Sequence, residues 1–250
     1  MSNAVIFKVM RAFSLMTVAL AVASTAFATM QIPDRAIHDG KEYELETFGI
    51  GYLMESYFKE HPDKHPRGGT ISTALYRGYV ATCEVKDRQL FLKDIVIDSG
   101  DRDTAKDGEY RSLWELTRWK SVMSQVFPDK KPPKMDWVSG LLVLKHPFKV
   151  GVVEEGRKEY IVWEIDKGDI KKEVPFTERQ AYEEFKTRQF EAFKKTDGYE
   201  KAVAKRKERG APEENIDSSL RYFITLYTSK ILFDTETPEA ETPKSPDASK

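Results

Sequence analysis

The sequence predicts an α+β fold: an antiparallel sheet of about seven strands, with helices packed on it and a helical extension at the C-terminus. Three observations carry that expectation. Between residues 35 and 174, short runs of alternating apolar and polar residues are joined by tight polar turns, Asp39-Gly40, Asp87-Arg88 and Lys167-Gly168-Asp169. Links that short suit hairpins and a meander, because parallel crossovers need a dozen residues or more. Apolar stripes at helical spacing interrupt the strands near residues 50 and 113, and from residue 177 onward the helical period takes over.

The first element is a leader. Residues 1–28 carry Lys8 and Arg11 and no acid, then an apolar run from Ala12 to Ala23, then Ser24-Thr25-Ala26-Phe27-Ala28. Basic, apolar and small-x-small segments in that order read as a secretory signal peptide cleaved after Ala28. The apolar run is too short to span a bilayer, which takes roughly 20 apolar residues. Cleavage moves the net charge from −1 to −3 and leaves 222 of 250 residues. That length suits one domain, and a balance so close to neutral gives no electrostatic reason to expect nucleic acid. Cys83 is the single cysteine, so an exported product makes no internal disulfide and relies on packing.

A sheet domain is expected over 29–175. Arg35 to Glu46 reads as a hairpin about Asp39-Gly40. Ile50, Leu53, Met54, Tyr57 and Phe58 form a helix stripe that Pro62 ends at His61, and an irregular loop runs on to Gly69. Tyr76 to Val85 comes next as a strand with Tyr79, Ala81, Cys83 and Val85 on one face. Gln89 to Ile97 is its hairpin partner, and a bulge near Lys93-Asp94 brings Leu90, Leu92 and Val96 to one face. Asp98 to Glu109 reads as a solvated acidic loop.

Ser112-Leu113-Trp114-Glu115 matches a capping box, opening a helix through Leu116, Trp119, Met123 and Val126 that Pro128 closes. Strands are expected at Met135 to Leu144, Phe148 to Val153, Glu159 to Ile165 and Ile170 to Val174. The helical extension occupies 176–233. A second capping box, Thr177 to Gln180, starts a helix carrying Tyr182, Phe185, Phe190 and Phe193. Gly198 and Gly210 punctuate two shorter segments, and Ile216, Leu220, Phe223, Tyr227 and Ile231 step at helical spacing. β-branched residues leave Tyr222 to Thr228 open between helix and strand. Residues 234–250, rich in Pro, Thr, Glu and Ser, have little to bury and read as a disordered tail.

Ser72-Thr-Ala-Leu-Tyr-Arg77-Gly-Tyr79-Val-Ala-Thr-Cys83-Glu84-Val85 resembles a group of uncharacterised bacterial proteins built on S-x-x-x-x-R-G-Y-x-A-x-(aromatic)-E-(aliphatic). Asp136-Trp137-Val-Ser-Gly140-Leu is similar to a second segment of that group. The likeness runs from about His38 to Val174 and implies a fold neighbourhood without an established activity. Cys83 stands where the pattern has an aromatic residue.

Four residues are therefore candidates for ligand binding: Arg77, Tyr79, Glu84 and Trp137. A guanidinium beside Glu84 and Tyr79 could grip a carboxylate or phosphate through its forked donors; the alternative is an arginine tied to an acid at a sheet end. No metal site is expected. His61 and His65 have i, i+4 spacing, but Pro62 and Pro66 break the helix that would give it meaning, so they read as surface loop histidines; His38 and His146 are the only others. The acidic loop fails the calcium-loop template, since position twelve counted from Asp103 is Trp114. Glycine-rich phosphate loop, nucleophile elbow and C-x-x-C are missing from the sequence, so no cofactor is expected. The basic run from Lys194 to Arg209, with Glu200 and Glu208 interleaved, reads as a solvated helix face and not as a nucleic-acid surface.

The expectation is a periplasmic or secreted protein with no membrane span after cleavage, working by binding a protein partner as an inhibitor, immunity-like factor or adaptor. The alternatives are an exported hydrolase using carboxylates such as Asp94 with Asp98 or Glu164 with Asp166, and a small-ligand binder. Enzymatic activity and oligomeric state stay open.

Overall fold

A computed structural model describes residues 31–46, 52–104, 112–129, 131–147 and 159–234. The leader, the expected strand from Phe148 to Val153 and the C-terminal tail lie outside the described residues. Those from Ile32 onward belong to one compact unit.

All three tight turns form as their residues require. Asp39 and Gly40, Asp87 and Arg88, and Lys167 and Gly168 each pair two successive positive φ angles, between 48° and 76°. Such turns carry the right-handed twist of a hairpin across two residues. They close β1 (Arg35–His38) onto β2 (Lys41–Leu45), β3 (Val80–Lys86) onto β4 (Gln89–Arg102), and β7 (Tyr160–Asp166) onto β8 (Asp169–Phe176). Gly168 has a second reason to be glycine: a Cβ there would sit 2.7 Å from the Met135 carbonyl oxygen.

With β5 (Thr117–Ser121) and β6 (Gly140–Lys145) these make one mostly antiparallel sheet of eight strands in the order β3-β1-β2-β6-β7-β8-β4-β5, one more than expected. The pairing of β3 with β4 as well as β1 joins seven strands into a ring, with β5 outside it on β4. One pair is parallel: β1 lies beside β3, which the long connection through α1 (Glu55–Glu60) permits.

The ring is filled. Ala36, Tyr43, Leu45, Ala81, Cys83, Leu90, Leu92, Leu144, Ile161 and Trp163 pack into one cluster, and Leu53, Met54, Tyr57 and Phe58 bring α1 into it. The predicted face of Tyr79, Ala81, Cys83 and Val85 is correct, although β3 starts at Val80 and Tyr76 to Gly78 form a turn. The predicted bulge is also present: Thr82 pairs with Asp94 and Cys83 with Leu92, leaving Lys93 extra. Its consequence is the reverse of the expectation. The added residue flips the alternation, so Ile95 and Ile97 join Leu90 and Leu92 inside, and Val96 faces the outer cluster of Ile32, Leu75, Val80, Trp114 and Trp119.

Other expectations are corrected. The helix foreseen from Leu113 to Val126 is three elements, α2 (Leu113–Leu116), β5 and α3 (Met123–Val126). The Ser112–Glu115 capping box forms, but Thr117 is already extended, because residues 117–121 pair with the far half of β4. That pairing also makes strand of the start of the supposed acidic loop, through Arg102, and buries Asp98 beneath the two-pronged grip of Arg102, at 2.6 and 2.7 Å. β6 begins only at Gly140, since Met135 to Val138 is a turn.

The C-terminal helices are present: α4 (Arg179–Phe193), α5 (Asp197–Glu208), α6 (Glu213–Tyr222) and α7 (Ile224–Tyr227). The second capping box does not form; Glu178 is the N-cap of α4 and no side chain caps it. Tyr182 and Phe185 cover Val143, Tyr160 and Val162 on the outer sheet face, which is why β7 is buried on both sides. Phe190, Phe193, Ile216, Leu220 and Ile224 knit the helices together. Of Tyr222 to Thr228, Tyr222 and Ile224–Tyr227 are helical, with a turn at Phe223 and an extended Thr228, and most of the basic run is exposed on α5.

Candidate functional site

The structure places the four sequence candidates in three different settings. Arg77 and Tyr79 belong together, at the base of the loop from Gly69 to Gly78. Arg77 is buried, and its Nη2 donates to Asp34 Oδ1 at 2.9 Å. Asp34 is wholly buried and also accepts from the backbone N–H groups of Ala81 at 2.8 Å and Leu53 at 2.9 Å. The Arg77 guanidinium lies 4.0 Å over the Tyr52 ring and 5.6 Å from that of Tyr79, a cation–π arrangement made stronger by desolvation. Burial pushes the Tyr52 hydroxyl up to about 12 and raises that of Tyr79 further.

Glu84 is elsewhere. It lies near the far end of β3, where Lys86 at 2.8 Å and Lys93 at 3.3 Å engage it, and the hydrogen bond from Lys86 holds its carboxyl below the usual range. Trp137 donates Nε1 to the Leu53 carbonyl at 2.9 Å and packs on Tyr57, 4.7 Å between centroids. The arginine is thus tied to an acid, but the acid is Asp34, 43 residues away in the chain.

What this knot holds is the loop. Ile32 N–H donates to the Ala74 carbonyl and Thr70 N–H to that of Asp98, while a short bridge joins Ser72 to Leu75. Gly69 is pressed so closely that a Cβ would lie 2.9 Å from Ile97 Cβ. Ala74 and Leu75 point down into the outer cluster, while Ile71 and Tyr76, flanking the bridge, are 70% and 53% exposed. Tyr76 stands edge-on to Tyr52, 6.3 Å between centroids. A rigid base thus presents two large apolar side chains to water.

A second constellation sits where the ring closes through its fewest paired residues. β8 meets β4 at one residue pair, Asp169 with Gln89, reinforced by Lys134 Nζ at 2.5 Å and Gln89 Nε2 at 2.9 Å from Asp169 Oδ1. Beyond that joint β8 runs past the tip of the β3–β4 hairpin and leaves an open cleft of about 480 Å³ lined by His38, Asp39, Val85, Asp87, Arg88, Ile170 and Glu173. His38 Nε2 reaches across to Glu173, 3.2 Å from Oε2 and 3.3 Å from Oε1, and Trp163 Nε1 donates to Glu173 Oε2 at 3.0 Å. His38 is buried; of the other histidines, His61 and His65 are exposed, as expected of loop residues, and His146 is partly buried. Its sequence signal was only its place beside the Asp39-Gly40 turn.

Of the four carboxylates suggested for hydrolysis, Asp94, Asp98 and Glu164 have structural partners, and Asp166 is exposed. Asp94 Oδ1 accepts from Ser121 Oγ and Ile95 N–H, and Glu164 Oε2 accepts from Ile231 N–H. Among the described residues, no group of three His, Cys, Asp or Glu could hold a metal ion, and no helix is long and apolar enough to cross a membrane. No protein-family model, no curated protein and no solved structure matches the chain.

Proposed function

We propose that the chain is exported and acts by binding a protein partner through the loop from Gly69 to Gly78. The observation that carries the binding reading is the exposure of Ile71 and Tyr76 on a loop fixed from beneath by Asp34 and Arg77. Single exposed apolar side chains are ordinary, but two on one pre-ordered turn form the kind of anchor that dominates interface energetics. Little conformational entropy is lost when such a loop docks, and a tyrosine offers a large rigid surface with a polar tip. Exposed Arg67 on the same connection adds positive charge. The complementary surface is an apolar pocket rimmed by carboxylates.

In this reading Arg77 and Tyr79 are positioning residues and Trp137 secures α1; none of them touches the partner. Export rests on the composition of residues 1–28, and N-terminal sequencing of the native product is expected to begin at Thr29; a start at Met1 contradicts it. For binding, a photo-crosslinking amino acid at position 76, in cells expressing the full chain, is expected to give one adduct of defined mass that Ile71→Ser abolishes. Adducts no different from those of the same probe at Lys201, exposed on α5, contradict the reading.

A further inference from the structure

We infer that the partner of the pinned loop is a second copy of this chain, whose cleft at the seam of the ring receives Ile71 and Tyr76. The inference rests on the loop reading above and names the occupant of that surface. The loop calls for an apolar pocket rimmed by carboxylates, and the cleft has that composition. Val85 and Ile170 give it apolar wall, and Asp39, Asp87 and Glu173 line it against the one guanidinium of Arg88. Arg88 is tied to the Ile170 carbonyl at 3.2 and 2.9 Å, and Glu173 is engaged by His38 and Trp163. Asp87 is exposed, and Asp39, 3.5 Å from His38 Nε2, keeps its side chain 77% exposed.

The loop carries the opposite charge. From Lys64 to Cys83 the chain holds Lys64, Arg67 and Arg77 and no acid; Arg77 is neutralised by Asp34, and Arg67 is exposed. In the docked pair the Arg67 guanidinium and the Tyr76 hydroxyl donate to Asp39 and Asp87, while Ile71 covers Val85 and Ile170. The topology makes this contact intermolecular. β1 and β3 run parallel, and the loop sits at their N-terminal ends, held by Ile32 to Ala74 and by the turn before Val80. His38, Val85 and Asp87 put the cleft at their C-terminal ends. The seven residues of β3, at about 3.3 Å a step, set the two surfaces roughly 20 Å apart. Each copy therefore has a knob at one end and a socket at the other, and such unlike patches join copies head to tail.

Asparagine tolerates positive φ as well as aspartate does, so Asp39→Asn/Asp87→Asn removes charge from the socket and keeps both turns. Ile71→Ser/Tyr76→Ser removes the knob. The test is sedimentation equilibrium of protein purified from cells expressing the full chain, for the parent, each variant alone and an equimolar mixture of the two variants. The parent is expected to climb past the mass of two copies as its concentration rises. Each variant stays at one copy, and the mixture reaches two copies and stops, because one knob and one socket remain; all melting temperatures stay close to that of the parent. A parent that stays at one copy, a variant that associates as the parent does, or a mixture that stays at one copy overturns the inference. A one-copy parent whose position-76 adduct contains a different protein overturns self-association alone, whereas adducts matching those of the Lys201 probe contradict the loop reading itself.

Discussion

Asp34 accepts three hydrogen bonds with no exposed surface, and Arg77 is the charge that makes its burial tolerable. Removing one partner of such a pair strands the other, at a cost of about 3–5 kcal/mol. Arg77→Ala is therefore expected to lower the unfolding free energy by that amount in urea denaturation, and a loss under 1 kcal/mol contradicts the knot. Cys83 supplies a second check on the interior. It is fully buried, and burial raises its thiol well above the ordinary range, so a thiol-reactive dye is expected to label it only at the rate of unfolding. Rapid labelling of native protein would mean that the ring is open. The sequence set Arg77 beside Glu84, whereas the structure pairs it with Asp34. Glu84 is near in sequence, but a strand carries residues apart by about 3.3 Å each, whereas Asp34 is brought in by the parallel pairing of β1 with β3. No local pattern reports such a pairing.

At the scale of elements, a polar contact within an aromatic cluster helps tie α4 to the ring. Tyr182 donates its hydroxyl to Glu46 Oε2 at 2.5 Å and stacks on Tyr160, 4.4 Å between centroids. Burial raises the Glu46 carboxyl above its ordinary value of 4.5, with Tyr182 and Lys186 opposing. A carboxyl raised in the folded state binds its proton more tightly there than in the unfolded chain. Its contribution to stability is thus complete below pH 4.5 and is lost as pH climbs through the raised value. Glu46→Gln removes that titration, so its stability relative to the parent is expected to rise between pH 4 and pH 7 in parallel urea melts; a difference that is constant or falls contradicts the assignment. Elements with their own chemistry were legible: three positive-φ turns, the bulge, the Ser112 capping box and α4. Elements decided by neighbours were not. Residues 117–121 carry helical spacing but become β5 because the far half of β4 lies open beside them, and the Thr177 box loses to an N-cap one residue later.

For the whole molecule, closing seven strands into a filled ring removes most sheet edges, a common route to aggregation. With the ring filled, the proposed binding surface is the pinned loop at its periphery. Alternation and turn chemistry foretold the α+β class. Ring closure escaped the sequence because it depends on β3 taking two partners and β8 meeting β4 at one residue. The loop proposed to bind a partner escaped it as well, since exposure of Ile71 and Tyr76 is decided by what their neighbours bury. The most direct measurement is the Kd for the partner identified by crosslinking at position 76, compared between the parent and Ile71→Ser/Tyr76→Ser. Two anchors of about 2 kcal/mol each predict a Kd raised at least 100-fold with an unchanged melting temperature. A Kd within twofold of the parent would contradict the claim that this loop is the binding surface.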